Sequence, residues 1–118
     1  MLTVLIAEND AIIRHAFAQT LASGGYHVLD AQDTSEAIRI ASSHVGDIDL
    51  LIANVAPPCL DGHALGLQLK KIQPDVRMLI VSTYTERELP SSSPHNALLK
   101  MPVGSDQLLQ AVQRLLCV

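Results

Sequence analysis

Cysteine is scarce, cations are outnumbered and no apolar stretch runs far, and each shortage removes a class of function. Cys59 and Cys117 are too few and too far apart for a zinc site or a disulfide framework, and in a reducing cytosol both are expected as free thiols. The 8 Lys and Arg stand against 12 Asp and Glu, a formal charge of -4 with a pI near 5.6. Such a surface repels phosphate backbones and anionic lipid, so neither nucleic acid nor a membrane is the expected partner. Glu8, Arg14, Asp49 and Lys70 interrupt the hydrophobic segments well short of the ~20 residues that cross a bilayer. Met1 leads directly into the apolar run Leu2 to Ala7, without the basic flank and cleavage site of a secretory signal, and the expected location is cytoplasmic. His15, His27, His44, His63 and His95 show no tight ligand spacing and read as scattered surface or packing residues, so no metal site is expected from them.

What is present is a regular alternation of strand and helix signals. The 118 residues, 48% hydrophobic, suit one domain over 1–118 with one substantial core. Thr3 to Ala7 is an unbroken apolar and β-branched run, the signal of a strand buried on both faces. Asp10 offers an N-cap oxygen to a helix carrying Ile13, Phe17 and Leu21, which Gly24-Gly25 stops. Tyr26 to Ala31 reads as a second strand, and Asp33 with Glu36 forms a capping-box pattern before Ala37, Ile40 and Ala41. Ile48 to Ala53 repeats the buried-strand signal. A turn from Pro57 to Gly62 leads into a third helix with Leu65, Leu69 and Ile72, weakened by Gly66 and ended by Pro74. Met78 to Val81 and Ala97 to Leu99 read as the fourth and fifth strands. Ser105 is expected to cap a last helix bearing Leu108, Leu109, Val112, Leu115 and Leu116.

Alternation of this kind implies parallel strands joined by right-handed crossovers. The expected fold class is α/β, a doubly wound five-stranded parallel sheet. Its order cannot be read from periodicity, but five strands in this length favour the flavodoxin-like arrangement 2-1-3-4-5, whose functional crevice lies beyond the carboxyl ends of the strands. Glu8, Asn9 and Asp10 follow the first strand, Asn54 ends the third, Ser82 and Thr83 end the fourth, and Lys100 and Met101 end the fifth. All are expected at one edge of the sheet.

With the segments LIAEND, DLLIANVAPPCLDG, MLIVST and LLKMPV in these places, the chain resembles a response-regulator receiver along essentially its whole length. The resemblance implies an acidic pair and an aspartate that together hold magnesium. That aspartate accepts phosphate from a histidine kinase, and a hydroxyl and a lysine before a proline bind the phosphoryl oxygens. Carried over, the acidic pair falls on Glu8 and Asn9, with Asp10 beside them and Ala56 in the same pocket. The acceptor falls on Asn54, the hydroxyl on Ser82 with Thr83 next to it, and the proline on Pro102. The lysine falls on Met101, unless one inserted residue lets Lys100 take its role.

The departures carry the argument. An aspartyl phosphate needs a carboxylate oxygen as nucleophile, and the Asn54 amide has none. Magnesium favours hard, charged oxygens in octahedral array, and Glu8 is the one matched anion, so magnesium binding is expected weak or absent and no other cofactor is implied. With the charge of the site reduced, Met101 in place of a lysine agrees with the other losses, and substitutions at 9 and 101 speak against one inactivating change at 54 alone. A plainer reading makes Asn54 a polar residue that bonds the loop from Val55 to Leu60. Asp61-Gly62 reads as a turn, Cys59 as a small apolar residue, and Lys70-Lys71 as a solvated helix end.

The stretch Tyr84 to Asn96 holds Pro90, three successive serines and Pro94, and Leu89 is its one large aliphatic residue. A short or missing fourth helix is therefore expected, leaving Met78 to Val81 and Ala97 to Leu99 partly exposed as a docking edge with the last helix. The leading functional reading is a non-phosphorylated, non-enzymatic receiver-like module, a pseudo-receiver of two-component or phosphorelay signalling. It would act by contact with a protein partner, whether a histidine kinase, a regulator, an output domain or a second copy in a homodimer. One alternative is an active phosphorelay receiver using Asp10 or Asp61. Another is a flavodoxin-like small-molecule-binding domain, against which stands the absence of glycine from Glu8 to Ala11.

Overall fold

The computed structural model of the chain describes residues 1–54, 62–83 and 94–117. Among them run β1 (Thr3–Ala7), α1 (Ala11–Ser23), β2 (His27–Ala31), α2 (Thr34–Ser43), β3 (Leu50–Asn54), α3 (Gly62–Ile72), β4 (Arg77–Ser82), β5 (Ala97–Lys100) and α4 (Ser105–Leu116). The strands form one parallel sheet in the order β2-β1-β3-β4-β5, the expected arrangement. Strand limits differ from the sequence reading by one or two residues, as fraying ends do.

The alternation of side chains along each strand divides the core in two. Leu5, Leu51, Ala53, Met78 and Ile80 face α2 and α3, where they meet Ala37, Ala41, Leu65 and Leu69. Val4, Ile6, Leu50, Ile52, Leu79 and Val81 face α1 and α4, where they meet Phe17, Leu21, Leu108 and Val112. A strand covered on both faces has no wet side, which is why β1, β3 and β4 read as unbroken apolar runs. On the edge strand β2 most residues are half-buried or exposed.

Local signals act as the sequence implied at the two upstream caps. The Asp10 carboxylate accepts from the N–H groups of Ile12 and Ile13, and Asp33 accepts from Glu36 N–H at 2.8 Å. The reciprocal Glu36 bond goes to Gln32 N–H, one residue earlier than a capping box places it. Ser105 is not the N-cap of α4. Gly104 holds that place with no side-chain bond, and the Ser105 hydroxyl instead accepts from Thr20 Oγ1 on α1. Lys70 also departs from its solvated reading, since its ammonium donates to Val76 O at 2.8 Å and closes the end of α3.

Gly66, which costs helix propensity, is explained by close packing. A Cβ there would lie 2.5 Å from Met78 Sδ and 2.8 Å from Pro94 Cγ. Pro94 thus returns onto the face of the sheet, and Asn96 pairs with Met78 through N–H to Met78 O at 2.7 Å and through Oδ1 from Met78 N–H at 2.9 Å. The fourth helix expected to be short or missing falls on 84–93, outside the described residues, as does Leu89. The partly exposed edge expected with it is corrected for β4, where Met78 to Val81 are fully buried, while Ala97 to Leu99 of β5 are half-buried. The cover at Met78 comes from α3, Pro94 and Asn96. In consequence Gly66→Ala, which should gain about 1 kcal/mol in helix propensity, is expected to lose that gain or more to overpacking against Met78. A urea midpoint no higher than that of the wild type checks this; a clear increase would show that Met78 yields freely.

Candidate functional site

Sheet register brings the chemistry-bearing residues to one edge. Ala7 pairs with Ala53, Asn54 with Val81 and Ser82 with Lys100, so the residues after β1, β3, β4 and β5 converge at the carboxyl ends of the strands. Met101 N–H donates to Ser82 O at 2.8 Å and extends the ladder past β5 to the cis bond between Met101 and Pro102.

Glu8 is the centre of this edge. It is 1% exposed, and every polar group it carries is engaged. Its N–H donates to Ala31 O at 3.0 Å, and its carbonyl accepts from Arg14 Nη1 at 2.8 Å. Its carboxylate accepts from Asn54 Nδ2 at 2.7 Å through Oε1, and from Asp10 N–H at 3.3 Å through Oε2. Chemistry fixes the Asn54 amide orientation, because a carboxylate oxygen can only accept and must face the NH2 end. A buried carboxylate without a cation needs hydrogen bonds to stay folded in, and a charge-assisted bond from an amide is worth about 1.5–3 kcal/mol. The amide thus bonds the carboxylate across 46 residues of sequence; the loop from Val55 to Leu60, to which the plainer reading tied it, lies outside the described residues.

The other predicted site residues separate from this centre. Asn9 is exposed and makes no hydrogen bond among the described residues. Asp10 is exposed, with its carboxylate committed to the cap of α1. Ser82 is fully buried and Thr83 exposed. Lys100 is exposed and its ammonium makes no hydrogen bond or ion pair among the described residues, whereas Met101 packs on the α1 and α4 side of the core beside an exposed Pro102. Ala56, Cys59 and Asp61 lie outside the described residues. Among the described residues no group of three or more His, Cys, Asp or Glu is placed to hold a metal ion. Two histidines that spacing kept apart, His27 and His44, do meet, with ring centroids 6.1 Å apart at the opposite end of the sheet.

Sequence reasoning missed Arg14. Besides holding the Glu8 carbonyl, its Nε lies 3.5 Å from Asp30 Oδ2, tying the loop after β1 to the end of β2. The signal was present: a cation in the first turn of a helix opposes the macrodipole, and its position there calls for an anion close by.

Comparison with known proteins agrees with this geometry. The family model of the response regulator receiver domain matches residues 4–113. The sensor kinase CckA of Brucella abortus is 33% identical over 97% of this chain, which spans 12% of that protein. The response regulator receiver protein CpdR of the same organism is 24% identical, with 98% of each chain covered. The crystal structure of the receiver domain from the hybrid histidine kinase CckA superposes with a TM-score of 0.82 at 29% identity, covering 97% of this chain and 98% of that one. Chemotaxis protein CheY4 of Vibrio cholerae superposes with a TM-score of 0.88 at 25% identity over 98% of this chain and 99% of that one. No helix among the described residues is long and apolar enough to cross a membrane. The chain therefore belongs to the response regulator receiver domain family, the receiver module of two-component signalling.

Proposed function

We propose that this receiver domain is a degenerate one that is not phosphorylated and signals by protein contact alone. The observation that carries the reading is the bond from Asn54 Nδ2 to Glu8 Oε1 at 2.7 Å. In a phosphorylatable pocket, two carboxylates at these places would share a divalent cation. Here a neutral amide donates directly to the one buried carboxylate among the described residues, and the demand for a cation is met by a hydrogen bond. Magnesium binding is accordingly weak or absent. The domain performs no catalysis of its own, resides in the cytoplasm, and takes a histidine kinase, a regulator or an output domain as partner. It works either alone, as a chain of the length of CpdR, or within a longer protein of the CckA kind.

The reading through a different carboxylate is less well supported. The Asp10 side chain is exposed and already accepts two backbone N–H bonds, and Asp61 lies outside the described residues. Against the small-molecule reading stands the absence of glycine from Glu8 to Ala11, which gives the turn after β1 no phosphate-cradling loop. Intact-mass spectrometry after incubation with acetyl phosphate and magnesium is expected to show an unmodified chain. A stoichiometric phosphoryl adduct that is lost at alkaline pH would overturn the proposal, and its mapping to Asp10 or Asp61 would establish the alternative.

A further inference from the structure

Glu8 follows β1, and β1 runs between β2 on one side and β3 on the other. Each side offers the buried carboxylate a donor. On the β3 side stands Asn54, whose Nδ2 donates to it at 2.7 Å. On the β2 side stands Arg14, which holds the carbonyl of the same residue through Nη1 at 2.8 Å and lies against Asp30 Oδ2 through Nε at 3.5 Å. Asp30 pairs with Ile6 in the sheet register and, like Val28 two residues before it, points to the face that α1 covers. Neighbouring strands lie about 4.8 Å apart, so β2 and β3 flank Glu8 at a separation of roughly 10 Å, and its carboxylate turns to one side or to the other.

The guanidinium is largely buried, with 14% of the Arg14 side chain exposed, and a cation so placed needs an anion. Asp30 supplies it. The other described carboxylates near the ends of β1 and β2 are engaged elsewhere: Asp10 accepts from the N–H groups of Ile12 and Ile13, Asp33 from Glu36 N–H, and Glu36 from Gln32 N–H. If Asp30 is withdrawn, the carboxylate left for Arg14 is that of Glu8, on the residue whose carbonyl it already holds. A guanidinium brings a fork of donors and full charge, and it outcompetes a neutral amide for a carboxylate. The Asp30 side chain is 42% exposed, which makes it the end of this chain of contacts that a partner can touch.

We propose that Asp30 selects the donor of the Glu8 carboxylate. While Asp30 holds Arg14, the carboxylate belongs to Asn54; when a cationic side chain of a partner takes Asp30, Arg14 turns to Glu8 and Asn54 is released. Contact at the exposed end of β2 is thereby felt in the pocket without phosphorylation. This selection rests on Asn54 standing in for a cation, and the two readings fail separately, since phosphorylation is read from mass and the choice of donor from the Asn54 amide.

NMR of the Asn54 side-chain amide tests the selection. Asp30→Asn should shift the Nδ2 signals and speed their exchange with water about tenfold or more, the factor to which loss of a charge-assisted bond corresponds. Asp30→Lys, which sets a cation where a partner would bring one, should release Asn54 at least as fully, and Asp30→Glu, which keeps the anion, should leave the signals in place. Arg14→Met removes the competing donor and should leave Asn54 on Glu8, so Asp30→Asn combined with Arg14→Met should show the Asn54 signals of Arg14→Met alone. If Arg14 and Asp30 were only a strut, both single changes would loosen Asn54 and the pair would loosen it further. Backbone signals unchanged through β3 and β4 show that each variant is folded. Asn54 signals indifferent to Asp30→Asn and Asp30→Lys, or a double variant as perturbed as Asp30→Asn alone, would overturn the proposal.

Discussion

Asn54→Asp is expected to make the stability of this domain depend on magnesium, whereas that of the wild type is expected to be indifferent to it. The substitution exchanges an amide that donates to the buried Glu8 carboxylate for a second carboxylate at the same 2.7 Å separation. Two anions this close cannot both stay charged without a cation or a proton between them. Without magnesium the variant loses the hydrogen bond and gains repulsion, a cost of about 1–3 kcal/mol or more for a buried charged acceptor. With magnesium at 100 times its dissociation constant, binding to the folded state alone restores about 2.7 kcal/mol. Thermal unfolding of both proteins with and without magnesium measures this, and NMR shifts at Glu8 localise it. Asn54→Ala separates the two terms, because it removes the donor without adding a ligand and should be destabilised whether magnesium is present or not. A variant Asn54→Asp as stable as the wild type and blind to magnesium would show that positions 8 and 54 do not form one pocket.

Leu51→Ala carries the largest expected effect on the fold. Leu51 is fully buried as the second residue of the central strand β3, paired with Leu5 of β1 and Met78 of β4, and faces α2 and α3. Truncation removes the transfer energy of the side chain and leaves a cavity that a central strand pinned on both sides cannot close, a cost of about 2–5 kcal/mol. Against a total of about 5–15 kcal/mol for a native protein, this takes a large share. The urea midpoint should fall with an unchanged slope. Because Asn54 ends the same strand, its contact with Glu8 should be lost in the same cooperative transition, followed through the NMR signals of both side chains. A loss below 1 kcal/mol would mean that α2 and α3 can settle onto β3.

Much of the fold was legible because its signals are local. The unbroken apolar run from Thr3 to Ala7, the cap oxygens of Asp10 and Asp33 and the stop at Gly24-Gly25 each act within a few residues, and each appears where the chain places it. Signals failed where a neighbour in space outweighed a neighbour in sequence. Ser105 looks like a cap, but its hydroxyl is taken by Thr20 on another helix, 85 residues away. Gly66 looks like a weakness in α3, and only the approach of Met78 and Pro94 shows what it permits. The expected opening over β4 was wrong for the same reason, since composition could show that the segment before Asn96 opposes a helix but not that Pro94 and Asn96 return to cover Met78.

At the site the division is similar. The residue types at 9, 54 and 101 by themselves put two amides and a thioether where the resemblance calls for two carboxylates and a lysine, with Lys100 left as the alternative lysine, because an amide or a thioether has the same chemistry wherever it is placed. Tertiary structure decided what replaces them. The sheet register across β1 and β3 sets Asn54 against Glu8 over 46 residues of chain, and the turn of α1 sets Arg14 under the same loop and against Asp30. Residue identity limits which bonds a side chain can make; the packing of distant strands chooses which of them it does make.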